Sequence, residues 1–144
     1  MPDLYEKIRL LKQSDIFSAV STDDLRFVAA SLTEKIYFPG DVIFQLNDNG
    51  TEMFIINSGK VGISLKKTGH DFISTLSSGS SFGEMNLLDG LPRSASAIAI
   101  EESSLLTLNK STLHGLLLSY PEISLSILKT LSLRLRDTNK KILA

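Results

Sequence analysis

The apolar positions along this chain change period twice, and the changes divide it into a helical start, a strand-rich middle and a helical end. From Asp3 to Gln13, Leu4, Ile8 and Leu11 recur at helical spacing with Lys and Glu between them, which predicts a short surface helix. Phe17 and Val20 are expected to tuck it against the core. Ser21, with Asp24 three residues on, is a variant capping box opening a second helix that turns Leu25, Val28, Ala29 and Leu32 inward and ends near Leu32. Beyond it Ile36, Phe38, Val42, Phe44, Met53 to Ile56, Val61, Ile63, Leu65, Phe72, Ile73 and Leu76 come in short runs, the pattern of an all-β region. Pro39-Gly40-Asp41, Asn47-Asp48-Asn49-Gly50, Asn57-Ser58-Gly59-Lys60 and Thr68-Gly69-His70 supply the Gly or Asn that tight reversals need. Strand spacing of roughly eight to twelve residues predicts a small barrel or sandwich with a jelly-roll-like path rather than a parallel sheet. Ala95 to Ile100 and Leu105 to Leu108 read as two further strands.

Helices then return. A short one starts at Lys110 or Ser111 and runs through Leu118, and Pro121 stands where a first helical turn accepts proline, opening a long helix towards Leu143. On that helix Ile123, Ile127, Leu128, Leu131, Leu135, Thr138 and Ile142 fall on one stripe about 140 degrees wide, so one face is expected to pack. Leu125, Leu133 and Leu143 lie off the stripe and offer a second apolar surface to a partner or a second copy, against the plainer reading of scattered surface leucines.

Composition narrows the class. A chain of 144 residues, 42% hydrophobic, is enough for a single domain with one core. A net charge of -1 carries no basic footprint, so nucleic-acid binding by this chain is not expected. There is no cysteine, no run of some 18 apolar residues and no signal-like start, which reads as a cytoplasmic protein without membrane attachment.

The chemistry concentrates between Ser77 and Ala97. Gly79 and Gly83 let backbone approach a ligand, a short helix starting near Glu84 would aim unpaired N–H groups at an anion, and Arg93 brings a planar cation. Glu84 and Arg93 stand nine residues apart across a turn at Asp89-Gly90, and Ser94 to Ala97 are all small. A carboxylate acceptor beside a cation suits one molecule carrying both a hydroxyl and a phosphate; the plain alternative is a surface loop with a solvated charge. Gly79-Ser80-Ser81-Phe82-Gly83 matches the nucleophile elbow of serine hydrolases. Its flanking β-runs are too short, and only His70 and His114 could act as base, so the match is read as coincidence. Two isolated histidines without cysteine do not make a metal site, and no Walker A or dinucleotide fingerprint occurs.

Phe82-Gly83-Glu84-Met85-Asn86-Leu87-Leu88 followed by Pro92-Arg93-Ser94-Ala95-Ser96-Ala97 closely resembles the phosphate-binding cassette of the cyclic nucleotide-binding domain family. Tyr37 to Phe44 and Met53 to Val61 also look like that family's β-roll. The resemblance implies one domain over 1–144, mainly β. Helices at 1–32 would precede an eight-stranded, jelly-roll-like β-roll (a double-stranded β-helix) at 33–108, with the cassette at 82–97 and its short helix, and two C-terminal helices at 110–143. It implies a cAMP or cGMP ligand, with cAMP favoured, and no cofactor, metal or catalysis. Arg93 would pair with the cyclic phosphate and Glu84 would accept from the ribose 2'-hydroxyl. Phe82 and Met85 belong to the same cassette, backbone N–H groups of Gly83, Glu84 and Asn86 would donate to phosphate or ribose, and Ser94 would add a hydroxyl or N–H. Leu87 resembles the hinge residue, and Thr138 and Asn139 fall where the last helix would cap the base. Asn86 departs from the small residue usual in the family. The implied role is a regulatory domain passing occupancy through its last helix to a second copy, an effector protein or part of a longer chain. The alternative is a β-roll interaction module that has lost its nucleotide.

Overall fold

The structure, a computed structural model, describes residues 1–67 and 71–143; the turn expected at Thr68-Gly69-His70 lies outside them. Two helices open the chain, α1 (Leu4–Gln13) and α2 (Thr22–Ala30). Asp3 caps the first by accepting from the Glu6 N–H, and Ser21 caps the second by accepting from the Asp24 N–H, the capping position that the sequence marks. Of the expected α1 stripe Leu11 is buried, with Leu10 beside it, while Leu4 is exposed. The helix meets the core through its C-terminal half.

Among the described residues eight strands follow: β1 (Thr33–Tyr37), β2 (Val42–Phe44), β3 (Glu52–Ser58), β4 (Val61–Ser64), β5 (Ser74–Leu76), β6 (Ser81–Phe82), β7 (Ser96–Ala99) and β8 (Ser103–Asn109). They form two four-stranded antiparallel sheets, ordered β1-β8-β3-β6 and β2-β7-β4-β5. A five-residue helix, α3 (Met85–Asp89), interrupts the strands between β6 and β7. The chain closes with α4 (Lys110–Ser119) and α5 (Pro121–Leu143). The architecture is a mainly β roll flanked by helices.

Met53 to Ile56 are all buried, although a strand with one solvated face would alternate. The reason is that β3 is covered on both sides. Met53 and Ile55 join Leu106 and Leu108 of β8 in a core shared with α1, α2, α4 and the start of α5. Phe54 and Ile56 face the interior of the roll with Val61, Phe82, Ala97 and Leu105. One strand thus ties the helical layer to the roll.

The stripe on α5 is covered only at its beginning. Ile123 and Ile127 are buried and Leu131 packs partly on the helical core, but Leu128, Leu135 and Ile142 are 60%, 63% and 75% exposed and Thr138 is exposed as well. A 23-residue helix runs about 34 Å, several turns more than the contact at its first half requires. Leu125, Leu133 and Leu143, off the stripe, are exposed too.

Candidate ligand-binding site

The site is made where β6 ends. Gly83 has φ +81, a left-handed turn that a side chain would strain, and it swings the chain from the strand into α3. Glu84 occupies the N-cap, and among the described residues no side chain caps the first turn. Gly90 closes α3 with φ +74, and the chain returns through Pro92 and Arg93 to β7.

Arg93 is 5% exposed and held from two directions. Its backbone is clamped by the β2–β3 loop: the Arg93 N–H donates to the Asp48 carbonyl at 2.8 Å, and the Asn47 N–H donates to the Arg93 carbonyl at 2.9 Å. Its guanidinium lies over the Phe44 ring, 4.0 Å from Cζ to the centroid, an attractive cation–π placement. Nη1 donates to the Gly83 carbonyl at 2.7 Å and to Asn86 Oδ1 at 2.6 Å, and Nη2 donates to the Glu52 carbonyl at 2.5 Å. Nε is buried without an acceptor among the described residues. Burial pulls the guanidinium below its ordinary pKa range, while the carboxylates of Glu52, Asp48 and Glu84 oppose that pull. An arginine stays charged through such a shift, so the site keeps a buried cation.

Phe82, Gly83, Glu84, Met85, Asn86, Arg93 and Ser94 all line one cavity of about 310 Å³, at the small end of the size range of small-molecule sites. Phe44, Ile63 and Leu91 add apolar wall, and Phe44, Phe54 and Phe82 form a ring cluster with centroids 5.1 to 6.0 Å apart. Leu87 is not in the cavity. It is buried behind it in the helical core, and its carbonyl meets His114 Nε2 of α4 at 2.7 Å. Thr138 and Asn139 are exposed on α5 and do not line the cavity. Arg134, one turn earlier on α5, does reach the cassette: its Nη1 lies 3.7 Å from Glu84 Oε1 and its Nη2 lies 3.7 Å from Asp15. No sequence signal marks Arg134, because its partners are 50 and more positions away. Gly50, which packs against the Arg93 side chain, carried only a turn signal.

Ser81 of the hydrolase-like motif sits in β6, paired antiparallel with Ile55 of β3, and its Oγ is buried without a partner among the described residues. That is not the strand-to-helix elbow on a parallel sheet that such a nucleophile needs.

A roll carrying a buried Arg and a carboxylate on one small cavity defines a class, and the chain belongs to the cyclic nucleotide-binding domain family, whose model matches residues 34–120. Cyclic nucleotide-gated channel beta-3 of Homo sapiens is 31% identical over 134 residues, covering 91% of this chain and 17% of the channel. The cyclic AMP receptor protein of Thermus thermophilus is 29% identical over 134 residues, covering 92% of this chain and 62% of that protein. The crystal structure of the N-terminal domain of a transcriptional regulator from Streptomyces coelicolor superposes with a TM-score of 0.81 at 27% identity, covering 91% of this chain and 95% of that one. The chain therefore spans a minor part of the channel and about six-tenths of the receptor protein. Among the described residues no helix is long and apolar enough to cross a membrane.

Proposed function

We propose that this chain binds a cyclic mononucleotide and acts as a cytoplasmic regulatory module with no chemistry of its own. The observation that carries the reading is the shared cavity of Arg93 and Glu84, a buried cation and a buried carboxylate that line it together. Arg93 would receive the cyclic phosphate through charge-assisted hydrogen bonds, and Glu84 would accept from the ribose 2'-hydroxyl. Uncapped N–H groups at the start of α3 and the Ser94 hydroxyl would complete the polar ring, with Phe82 and Met85 as apolar wall. The name of the Thermus thermophilus relative supports cAMP; Ser94 is compatible with cGMP as well.

Occupancy would reach α5 by two routes. Leu87 connects α3 to the core shared with α4 and α5, and Glu84, needed for the ribose, is already paired with Arg134. A ligand that takes Glu84 changes what holds α5, which is the differential contact that transmission requires. Thr138 and Asn139 would approach the base only if α5 moves. The listener would be a second copy of this chain or an effector protein meeting α5.

Isothermal titration with cAMP and cGMP tests the reading. Arg93→Lys keeps the charge but loses the fork, and Arg93→Ala removes both. The alanine variant should cost about 3 kcal/mol, roughly a hundredfold in Kd. Unchanged affinity in folded Arg93→Ala would refute the site. One observation favours the second reading, an interaction module without nucleotide: Arg93 and Glu84 each already have partners within the protein, Arg93 in Gly83, Asn86 and Glu52, and Glu84 in Arg134. Absence of binding to either nucleotide by the wild type would support it.

A further inference from the structure

Asn86 stands where the resemblance leads one to expect a small side chain, and the structure gives that side chain a definite task. It is 7% exposed, in the first turn of α3, and both ends of its carboxamide are used. Nδ2 donates to the Gly50 carbonyl at 2.9 Å, which fixes the amide to the β2–β3 loop and leaves Oδ1 aimed at Arg93 Nη1 at 2.6 Å. The orientation of the amide follows from this pairing, since reversing it would put an NH₂ against the guanidinium and an oxygen against a carbonyl. Asn86 thus presents a neutral oxygen to the buried cation from the wall of the cavity. The Gly83 and Glu52 carbonyls hold the same guanidinium but belong to the backbone, so no substitution of their side chains removes them.

We propose that Asn86 is an internal competitor for Arg93: its carboxamide oxygen occupies the guanidinium, and an incoming phosphate oxygen must displace it. The proposal rests on the nucleotide reading of the cavity and deepens it. Asn86 is a positioning residue that sets how weakly the module binds, and therefore the ligand concentration to which it responds. A hydrogen bond to a charged group is strong enough to matter and weak enough for a full phosphate charge to replace it.

Three proteins and two measurements decide the matter. Titrated with cAMP and with cGMP, Asn86→Ala should bind about tenfold more tightly than the wild type, because the competing bond is gone. Asn86→Asp, which places a full negative charge beside Arg93, should bind at least about tenfold more weakly. An Asn86→Ala variant that binds equally or less tightly overturns the proposal, since that is the behaviour of a residue that pre-organises Arg93 for the ligand. The second measurement needs no nucleotide: nitrogen-15 NMR of the Arg93 guanidinium in the same proteins without added ligand. Its Nη protons should exchange with water several-fold faster in Asn86→Ala, and an unchanged rate also overturns the proposal. If none of the three proteins binds either nucleotide while the exchange quickens, the nucleotide reading fails and the restraint of Arg93 by Asn86 stands.

Discussion

Arg93 is flanked by two glycines for different reasons, and both are steric statements about the guanidinium. A Cβ on Gly50 would fall 2.1 Å from Arg93 Nε, 2.2 Å from Cζ and 2.3 Å from Asn86 Nδ2. A Cβ on Gly83 would meet Arg93 Nη1 at 2.6 Å, and its φ of +81 adds backbone strain. Because the guanidinium is tied to three oxygens and stacked on Phe44, it cannot swing away as a free side chain would. Gly50→Ala should therefore destabilise the fold by about 1–3 kcal/mol and weaken nucleotide binding together. Gly115→Ala is the control: Gly115 lies in α4 with nothing within 4 Å of its added methyl, and the substitution should stabilise by roughly 0.5–1 kcal/mol through helix propensity. Urea midpoints of the two variants should move in opposite directions, and an unmoved Gly50→Ala midpoint would mean that Arg93 is not held as described. The cassette residues were legible because they are contiguous and chemically distinctive. Gly50 and Arg134 were not: each acts on the site from far along the chain, and nothing in an Asn-Gly turn or a helical arginine names its partner.

At the scale of elements, turn residues and period marked most boundaries, with β6 unmarked, and α5 begins at Pro121 as expected. What period cannot give is the layer that covers each face. Met53 to Ile56 looked like any short apolar run, yet β3 is buried on both sides; the stripe on α5 looked continuous, yet its second half is bare. Edge strand β1 shows how such placement creates a titration. Lys35 reaches past β8 to Glu52 Oε1 at 2.7 Å, and that hydrogen bond raises the lysine's pKa. Burial raises the pKa of Tyr37 on the same strand. Both groups hold their protons more tightly folded than unfolded. Their contribution is therefore complete below the ordinary values of 10.0 and 10.5 and is lost as pH rises through the raised folded values. Urea midpoints measured from about pH 9 upward should fall, and less steeply in Tyr37→Phe, which removes one of the two titrations. An identical slope in that variant would assign the alkaline loss elsewhere.

For the whole molecule the open question is what meets the second half of α5. Leu128, Leu131, Leu135, Thr138 and Ile142 follow a three-four spacing, the seam of a two-stranded coiled coil, and Leu128, Leu135 and Ile142 are exposed. A second copy would bury these three from each helix. At about 1.5–3 kcal/mol per fully buried side chain the gain is on the order of 10 kcal/mol, reduced because burial would be partial. Association costs of roughly 4–15 kcal/mol set against it predict a weak, concentration-dependent dimer rather than a permanent one. Charge adds a condition. Arg136, Lys140 and Lys141 outnumber Asp137 in the last turns, while Arg134 stands beside Glu84 and Asp15, so parallel helices would repel at that end, and added salt should strengthen the pairing by screening. Sedimentation velocity should show dimer growing with protein concentration and with salt, and Leu128→Lys combined with Leu135→Lys should remain monomeric while binding nucleotide as the wild type does. A wild-type chain that stays monomeric at every concentration and salt would leave an effector protein as the partner of this helix. The double variant would then identify that partner's footprint by the contacts it loses.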